Sequence, residues 1–411
     1  MAQIVEASKE PVPAEAPAVP VEEATIPVKV LNLAGREVLA CHLHAGSTVH
    51  EIKTQVALAG GPDVRLQMLS FDGCVLKDAT TCHALGWTAA EPATLTMTRV
   101  LPDVDKCLAG LMDPFYKKKP SRLSLMELHT LCCHCKDIFL SEPMLLEPDP
   151  PLVIVGRLHG YFDQLVKLLE RCGGLPDTHY LFLGGYVNKG KRSIDTITLL
   201  FTFKSMYPDS LFLLRGCDED ASMCRYYGFY EECQRQFNIK LWKAFVEAFN
   251  CMPVCALIRG KIFCVSSGLS PDMTDLACIR QLKRPYHVPE NGLLCDLLWG
   301  VPEEQGGWSK GPFDISYAFG EDVVKRFVEE MGLELIVRGN QHVVDGGYAY
   351  FADEKMVSIW SIYSWDWDEP HYDNHAAVVK ISDHLGVDFE VFDKVSSAGL
   401  GFARRPRQDL G

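Results

Sequence analysis

The chain has no excess of positive charge: its 411 residues carry 40 lysines and arginines against 54 acidic side chains, a formal net charge of −14. Nucleic acid and anionic membrane are therefore not expected as general partners, because such binding depends on clustered cations. No uninterrupted apolar run approaches the roughly 20 residues of a membrane-spanning helix. No basic stretch followed by an apolar one opens the chain, so no secretory leader is expected and the expected address is cytosolic or nuclear. The sequence has 16 cysteines, and without secretory features they read as reduced thiols and not as a disulfide framework. Hydrophobic residues make up 47% and charged residues 23%, which predicts a globular protein with room for two or three domains.

Residues 1–25 lack aromatic side chains and are rich in proline, alanine, valine and glutamate, which predicts a disordered acidic arm. From Ile26 to about Leu101 the pattern changes. Val28–Leu33 and Val38–Leu43 flank a turn at Ala34-Gly35-Arg36, and Thr48 with Glu51 forms a capping box for a helix buried through Val49, Ile52 and Val56. Leu66–Gly73 reads as a strand and turn, and Thr94–Val100 as a closing strand. Residues 26–101 thus resemble a ubiquitin-like β-grasp domain. Because the chain continues past Arg99 into Leu101-Pro102-Asp103, that resemblance implies a fixed binding module and not a conjugated tag.

Five short apolar runs lie further along: Val153–Val155, Tyr180–Leu183, Leu211–Leu214, Ile262–Val265 and Leu335–Val337. A glycine-containing loop follows each. The loops read Gly156-Arg157-Leu158-His159-Gly160, Gly184–Gly190, Arg215-Gly216-Cys217-Asp218-Glu219, Ser266-Ser267-Gly268 and Arg338-Gly339-Asn340-Gln341. Buried strands that feed loops at one rim of a sheet are how α/β enzymes assemble sites from distant sequence.

In this order the loops resemble the phosphoprotein phosphatase family of serine/threonine phosphatases. Tyr227-Gly-Phe-Tyr-Glu231, Asn238-Ile-Lys-Leu-Trp-Lys243, Gly268-Leu-Ser-Pro-Asp272 and Gly292-Leu-Leu-Cys-Asp-Leu-Leu-Trp299 narrow the likeness to the type-1 enzymes. The resemblance implies an α/β, calcineurin-like metallophosphoesterase fold of two packed sheets flanked by helices, over residues 104–395. A tail, 396–411, follows. The family uses two divalent metal ions such as manganese, or iron with zinc. Its six ligand positions correspond here to Arg157, His159, Gly185, Cys217, Ser266 and Asn340, and of these only His159 matches the family.

A two-metal site clamps attacking and leaving oxygens between cations that a carboxylate bridges. The bridging position is Gly185, which has no side chain, and the other aspartate position is Arg157, a permanent cation. Ser266 and Asn340 replace imidazoles, and Cys217 lacks partners for a tetrahedral nitrogen and sulfur set. The proton-handling pair is also altered, to Asp218 and Asn188. No cofactor is expected. His159 reads either as a packing residue on its turn or as part of a weak ion site with Asp218 and Cys217.

Charge offers two further readings. Arg157, Lys189 and Arg215 would form a metal-free phosphate pocket if their loops converge. Alternatively, Arg157 pairs with Asp218 or Glu219 and fills the emptied space. The segment Gly185–Lys191 superficially fits a nucleotide-binding loop, but Arg192 stands where a serine or threonine would reach magnesium.

Cys132-Cys133-His134-Cys135 resembles a metal knot, yet Leu128, Leu131, Cys132, Cys135 and Phe139 recur at helical spacing, which predicts a core helix. Type-1 phosphatases also dock regulators bearing an Arg-Val-x-Phe-like peptide in an apolar groove. The matching positions are Ile262, Leu335, Tyr350, Leu385, Val387 and Phe389, all apolar or aromatic. Near the groove Glu354 replaces a basic residue of the family. The resemblance therefore implies a catalytically inactive phosphatase homologue that acts by binding proteins, either phosphatase regulatory subunits or phosphoproteins. The alternative is an active phosphoserine/phosphothreonine phosphatase with an atypical metal site.

Overall fold

The computed structural model describes residues 25–32, 34–62, 64–72, 74–90, 93–112, 123–343, 345–363 and 374–393. The acidic arm expected over 1–25, but for Thr25, and the tail 396–411 lie outside the described residues. The chain divides into two compact units, Met1–Arg99 and Val100–Gly411.

In the smaller unit, β1 (Ile26–Asn32) pairs antiparallel with β2 (Glu37–Leu43). The helix α1 (Val49–Leu58) follows, started by Thr48, whose side chain accepts from Glu51 N while Glu51 reaches back to the Thr48 backbone. The strands β3 (Gln67–Phe71), β4 (Cys74–Val75) and β5 (Ala93–Arg99) complete a sheet of order β2-β1-β5-β3-β4, with β1 and β5 parallel. Val28, Val30, Leu69 and Leu95 meet Val49, Ile52 and Val56 of α1 in one core. These strands are consistent with a small β-grasp domain.

In the larger unit two sheets pack face to face. One has the order β19-β18-β7-β8-β9, from β7 (Leu152–Val155), β8 (Tyr180–Phe182), β9 (Leu211–Leu213), β18 (Ala376–Ile381) and β19 (Val387–Phe392). The other has the order β16-β17-β15-β11-β10-β6, from β6 (Leu145–Leu146), β10 (Cys255–Ile258), β11 (Ile262–Val265), β15 (Leu335–Arg338), β16 (Tyr348–Phe351) and β17 (Met356–Ile359). The intervening β12 (Val301–Pro302), β13 (Trp308–Lys310) and β14 (Tyr317–Phe319) make a separate small sheet.

Strand periodicity divides the side chains between layers. In β7, Leu152 and Ile154 face the core between the sheets, with Leu181, Cys264, Val337 and Val357. Val153 and Val155 face the opposite way, into a helical layer. That layer contains α2 (Val104–Met112), α3 (Leu125–Ser141), α4 (Phe162–Cys172) and α5 (Ser193–Met206). The cysteine cluster lies in α3, where Ser124 and Glu127 form the capping box and Leu128, Leu131, Cys132, Cys135 and Phe139 are buried. The segment is a core helix because its apolar stripe packs on α5 and the helix Ile239–Phe249.

Candidate functional site

Strands β7, β8 and β9 run parallel, so the loops that leave their carboxyl ends share one rim, and β11 and β15 form a second parallel pair. Glycines let loops from the two sheets meet. A Cβ on Gly216 would stand 2.8 Å from Gly185 N and 3.0 Å from Ser266 Oγ. The residues at the six positions corresponding to metal ligands are thereby brought to one rim.

At its centre is an ion pair. Arg157, 5% exposed, donates through Nη1 to Asp218 Oδ2 and through Nη2 to Cys217 Sγ at 3.0 Å. Asp218, 3% exposed, also accepts from Asn188 Nδ2 at 3.2 Å, while its backbone carbonyl accepts from the same amide at 3.1 Å. Burial works against the Asp218 carboxylate, but Arg157, His159, Lys189 and Asn188 together hold its pKa below the ordinary value. Burial pushes the Cys217 thiol up to about 11 despite Arg157, so at neutral pH the charge partner of Arg157 is Asp218.

Arg157 also occupies space. A Cβ on Gly185 would lie 2.6 Å from Arg157 Cγ and 3.1 Å from its Cβ, and Gly185 has φ +73°, a conformation that L side chains rarely adopt. The arginine stem therefore fills the volume of a side chain at position 185.

The other residues read from the sequence are placed as follows. His159, 1% exposed, has Nδ1 3.7 Å from Asp218 Oδ2 and packs on Trp360 at 5.6 Å between ring centroids. Its burial lowers its pKa to about 3, so the imidazole is neutral. Asn340 donates to Ser267 Oγ at 2.6 Å, and its Oδ1 lies 3.9 Å from Cys217 Sγ. Ser266 is buried, and among the described residues its Oγ has no hydrogen-bond partner.

The three cations do not all turn the same way. Arg157 closes onto Asp218, and the Lys189 ammonium lies 5.0 Å over the Tyr227 ring. Arg215, 1% exposed, turns to Asn250 Oδ1 at 2.7 Å, the Tyr286 carbonyl at 2.6 Å and the Glu219 carbonyl at 3.2 Å. Glu219 does not take Arg157; its carboxylate accepts backbone N–H groups of Gly185, Tyr186 and Gly216 at 2.8–3.0 Å. In the loop resembling a nucleotide-binding motif, the N–H of Lys189 goes to the Tyr227 carbonyl and that of Gly190 to the His159 carbonyl. Those donors serve the fold.

Of the groove positions, Ile262 and Leu335 are buried between the sheets, and Leu385, Val387 and Phe389 are half-buried against the same cluster. Tyr350 is 43% exposed and meets Phe389 edge-on at 5.9 Å. Tyr348, which the sequence reading missed, stacks on Phe389 at 3.8 Å; its spacing of two from Tyr350 along β16 was the available signal. Trp360 was also missed, although it follows the apolar β17 as the other site loops follow their strands.

Two divalent ions do not fit this residue set. Position 185 has no side chain, its space holds a hydrocarbon stem, and of the two carboxylates nearby Asp218 is bound to a guanidinium and Glu219 to backbone N–H groups. Among the described residues, no three His, Cys, Asp or Glu side chains gather in a metal-holding group.

Residues 150–344 match the calcineurin-like phosphoesterase family. A protein serine/threonine phosphatase from Saccharomyces cerevisiae, described by its similarity to human phosphatase PP5, has a similar structure at TM-score 0.65. It is 23% identical over 74% of this chain and 97% of that chain. A ubiquitin from Caldiarchaeum subterraneum matches 19% of this chain and 98% of that chain, at 18% identity and TM-score 0.18. The fold is that of a calcineurin-like metallophosphoesterase, similar to a serine/threonine phosphatase.

Proposed function

We propose that this protein is a catalytically inactive serine/threonine phosphatase homologue that acts by binding other proteins. One observation carries this reading: the Arg157 guanidinium is bound to Asp218 at the rim where the fold family holds cations, and its stem covers Gly185. A buried cation paired with a buried carboxylate is a closed electrostatic unit, and breaking it costs roughly 3–5 kcal/mol. Neither a divalent ion nor a substrate phosphate meets a free opposite charge there.

Binding is assigned to the apolar groove. Strands β16 and β19 are edges of the two sheets, and their aromatic side chains Tyr348, Tyr350 and Phe389 form one cluster. An edge strand next to aromatic pockets suits an extended peptide added as a further strand. Burial, and after it the neighbouring Glu354, raise the Tyr350 pKa; a glutamate beside the groove favours peptides with a basic residue at that end. The ubiquitin-like unit is proposed as a second binding module on the same chain, which raises effective concentration at a shared partner.

The test is metal content by elemental analysis of the purified protein, paired with a generic phosphomonoester assay in added manganese. The expected result is substoichiometric metal and no turnover above buffer. Two bound ions, or turnover abolished by His159→Ala, would establish the active-enzyme reading instead.

A further inference from the structure

A cleft of about 400 Å³ opens in the larger unit, a volume within the range of small-molecule sites, and none of its lining residues belongs to the rim or to the aromatic groove. One wall is a stripe of the helix Ile239–Phe249 and its cap, where Trp242, Val246 and Asn250 recur every four residues. Trp242 is held by Tyr230, edge-on at 5.1 Å, and by Arg225, 5.0 Å over its ring. Pro285 supplies a second apolar surface.

The polar groups of the cleft are mostly donors. Asn250 is 6% exposed, and its Oδ1 accepts from Arg215, which can only donate, so the amide nitrogen is the end left over; it stands 3.4 Å from His287 Nδ1. That nitrogen donates, so His287 carries its own proton on Nε2 and is a donor as well. Lys136 and Lys243 add two ammonium groups, against one lining carboxylate, Glu247. Arg215, which holds the Asn250 amide, is 1% exposed, and its acceptors among the described residues are that amide and the Glu219 and Tyr286 carbonyls, all uncharged. Burial pushes the adjacent Cys251 thiol up to about 11; Lys136, Arg284 and Arg215 oppose that rise, and Glu247 adds to it. The helix end does not offset these cations, because the Asn250 carbonyl accepts from Tyr286 N at 2.9 Å and the Cys251 carbonyl from Arg284 Nη1 at 2.9 Å.

We infer that this cleft binds a small amphipathic monoanion, an aromatic carboxylate or sulfonate, whose rings lie against Trp242, Val246 and Pro285 and whose charged head is met by Lys243, Lys136 and the Asn250 amide. Apolar walls alone would accept any hydrophobic ligand of the right size, and the excess of donors selects an anion. Arg215 reaches from Asn250 to the Glu219 carbonyl, so an occupant sits one side chain away from the loop that carries Asp218.

The experiment uses the full chain and a fluorinated naphthalenecarboxylate, followed by the broadening of its fluorine resonance on titration, with the matching uncharged naphthalenemethanol beside it. The acid is expected to bind saturably at one site, the alcohol at least tenfold more weakly, and added salt to weaken the acid alone. Lys243 is exposed, so Lys243→Glu should keep the thermal midpoint of the native protein and lose at least tenfold in affinity for the acid. Should the glutamate variant not fold, Lys243→Gln, which removes the charge and keeps a polar stem, takes its place. No saturable binding, equal affinity for acid and alcohol, or an unchanged affinity in the charge variant overturns the inference. Binding that survives Lys243→Glu and disappears in the Tyr350→Ala/Phe389→Ala double variant would put the probe in the aromatic groove and overturn it equally. Metal content and turnover, which decide the inactive reading, are untouched by any of these results.

Discussion

Arg157 and Gly185 exchange one volume between them. Because the arginine stem lies 2.6 Å from where a Cβ at 185 would sit, and the backbone there has φ +73°, Gly185→Asp alone meets both a clash and an unfavourable conformation. A loss of about 2–4 kcal/mol is expected, measured by chemical denaturation. Adding Arg157→Ala removes the clash, so the double variant should lose less than the sum of the single changes. Strict additivity would show that the stem does not occupy that space. His159 makes a second residue-level prediction. Its folded pKa, about 3, lies below the unfolded value near 6.5, so the folded state excludes a proton that the unfolded state binds. The stability it contributes is present above pH 6.5 and is lost as pH falls toward 3, at about 1.4 kcal/mol per pH unit. His159→Gln should flatten this acid limb. Glu232 acts in the opposite sense, because burial raises its pKa to about 7 and its contribution is lost as pH rises through that value. An unchanged acid limb in the glutamine variant would rule out a buried neutral imidazole.

Among the elements, the two edge strands carry the binding proposal. Tyr350 of β16 and Phe389 of β19 lie on different sheets, and only the packing of one sheet on the other brings their rings within 5.9 Å. Truncating both to alanine removes aromatic anchors of the kind that dominate peptide interfaces. Calorimetric titration of an Arg-Val-x-Phe-like peptide should show affinity falling at least tenfold in the double variant, with a lowered thermal midpoint from the loss of the half-buried Phe389 ring but a cooperative transition retained. Equal affinity in both proteins would assign the peptide elsewhere. The helix α3 illustrates what a pattern can decide. Its cysteines recur with leucines at helical spacing behind a Ser124–Glu127 capping box, and that local signal outweighs the superficial likeness to a metal knot.

For the whole molecule, each of the two units has its own core. Ile26, Val28, Val30, Ile52, Val56 and Leu95 close the smaller one from strands and a helix within residues 26–99. Residues 25–100 expressed alone should therefore unfold in a single cooperative transition with dispersed amide spectra. A collapsed or unfolded fragment would show that the smaller unit depends on the rest of the chain.

The sequence by itself determined the order of strands and loops, because short apolar runs and glycine turns are local properties of the chain. It also decided what two loop positions can supply, since glycine at 185 and arginine at 157 offer no carboxylate in any fold. Which acid would answer the arginine lay beyond it, since Asp218 and Glu219 are neighbours in sequence with the same charge. Only the tertiary structure decided that, turning Glu219 toward three backbone N–H groups and leaving Asp218 to the guanidinium. It likewise turned Arg215 away from Arg157 toward Asn250, because the direction of a long side chain is set by the acceptors that packing brings within reach.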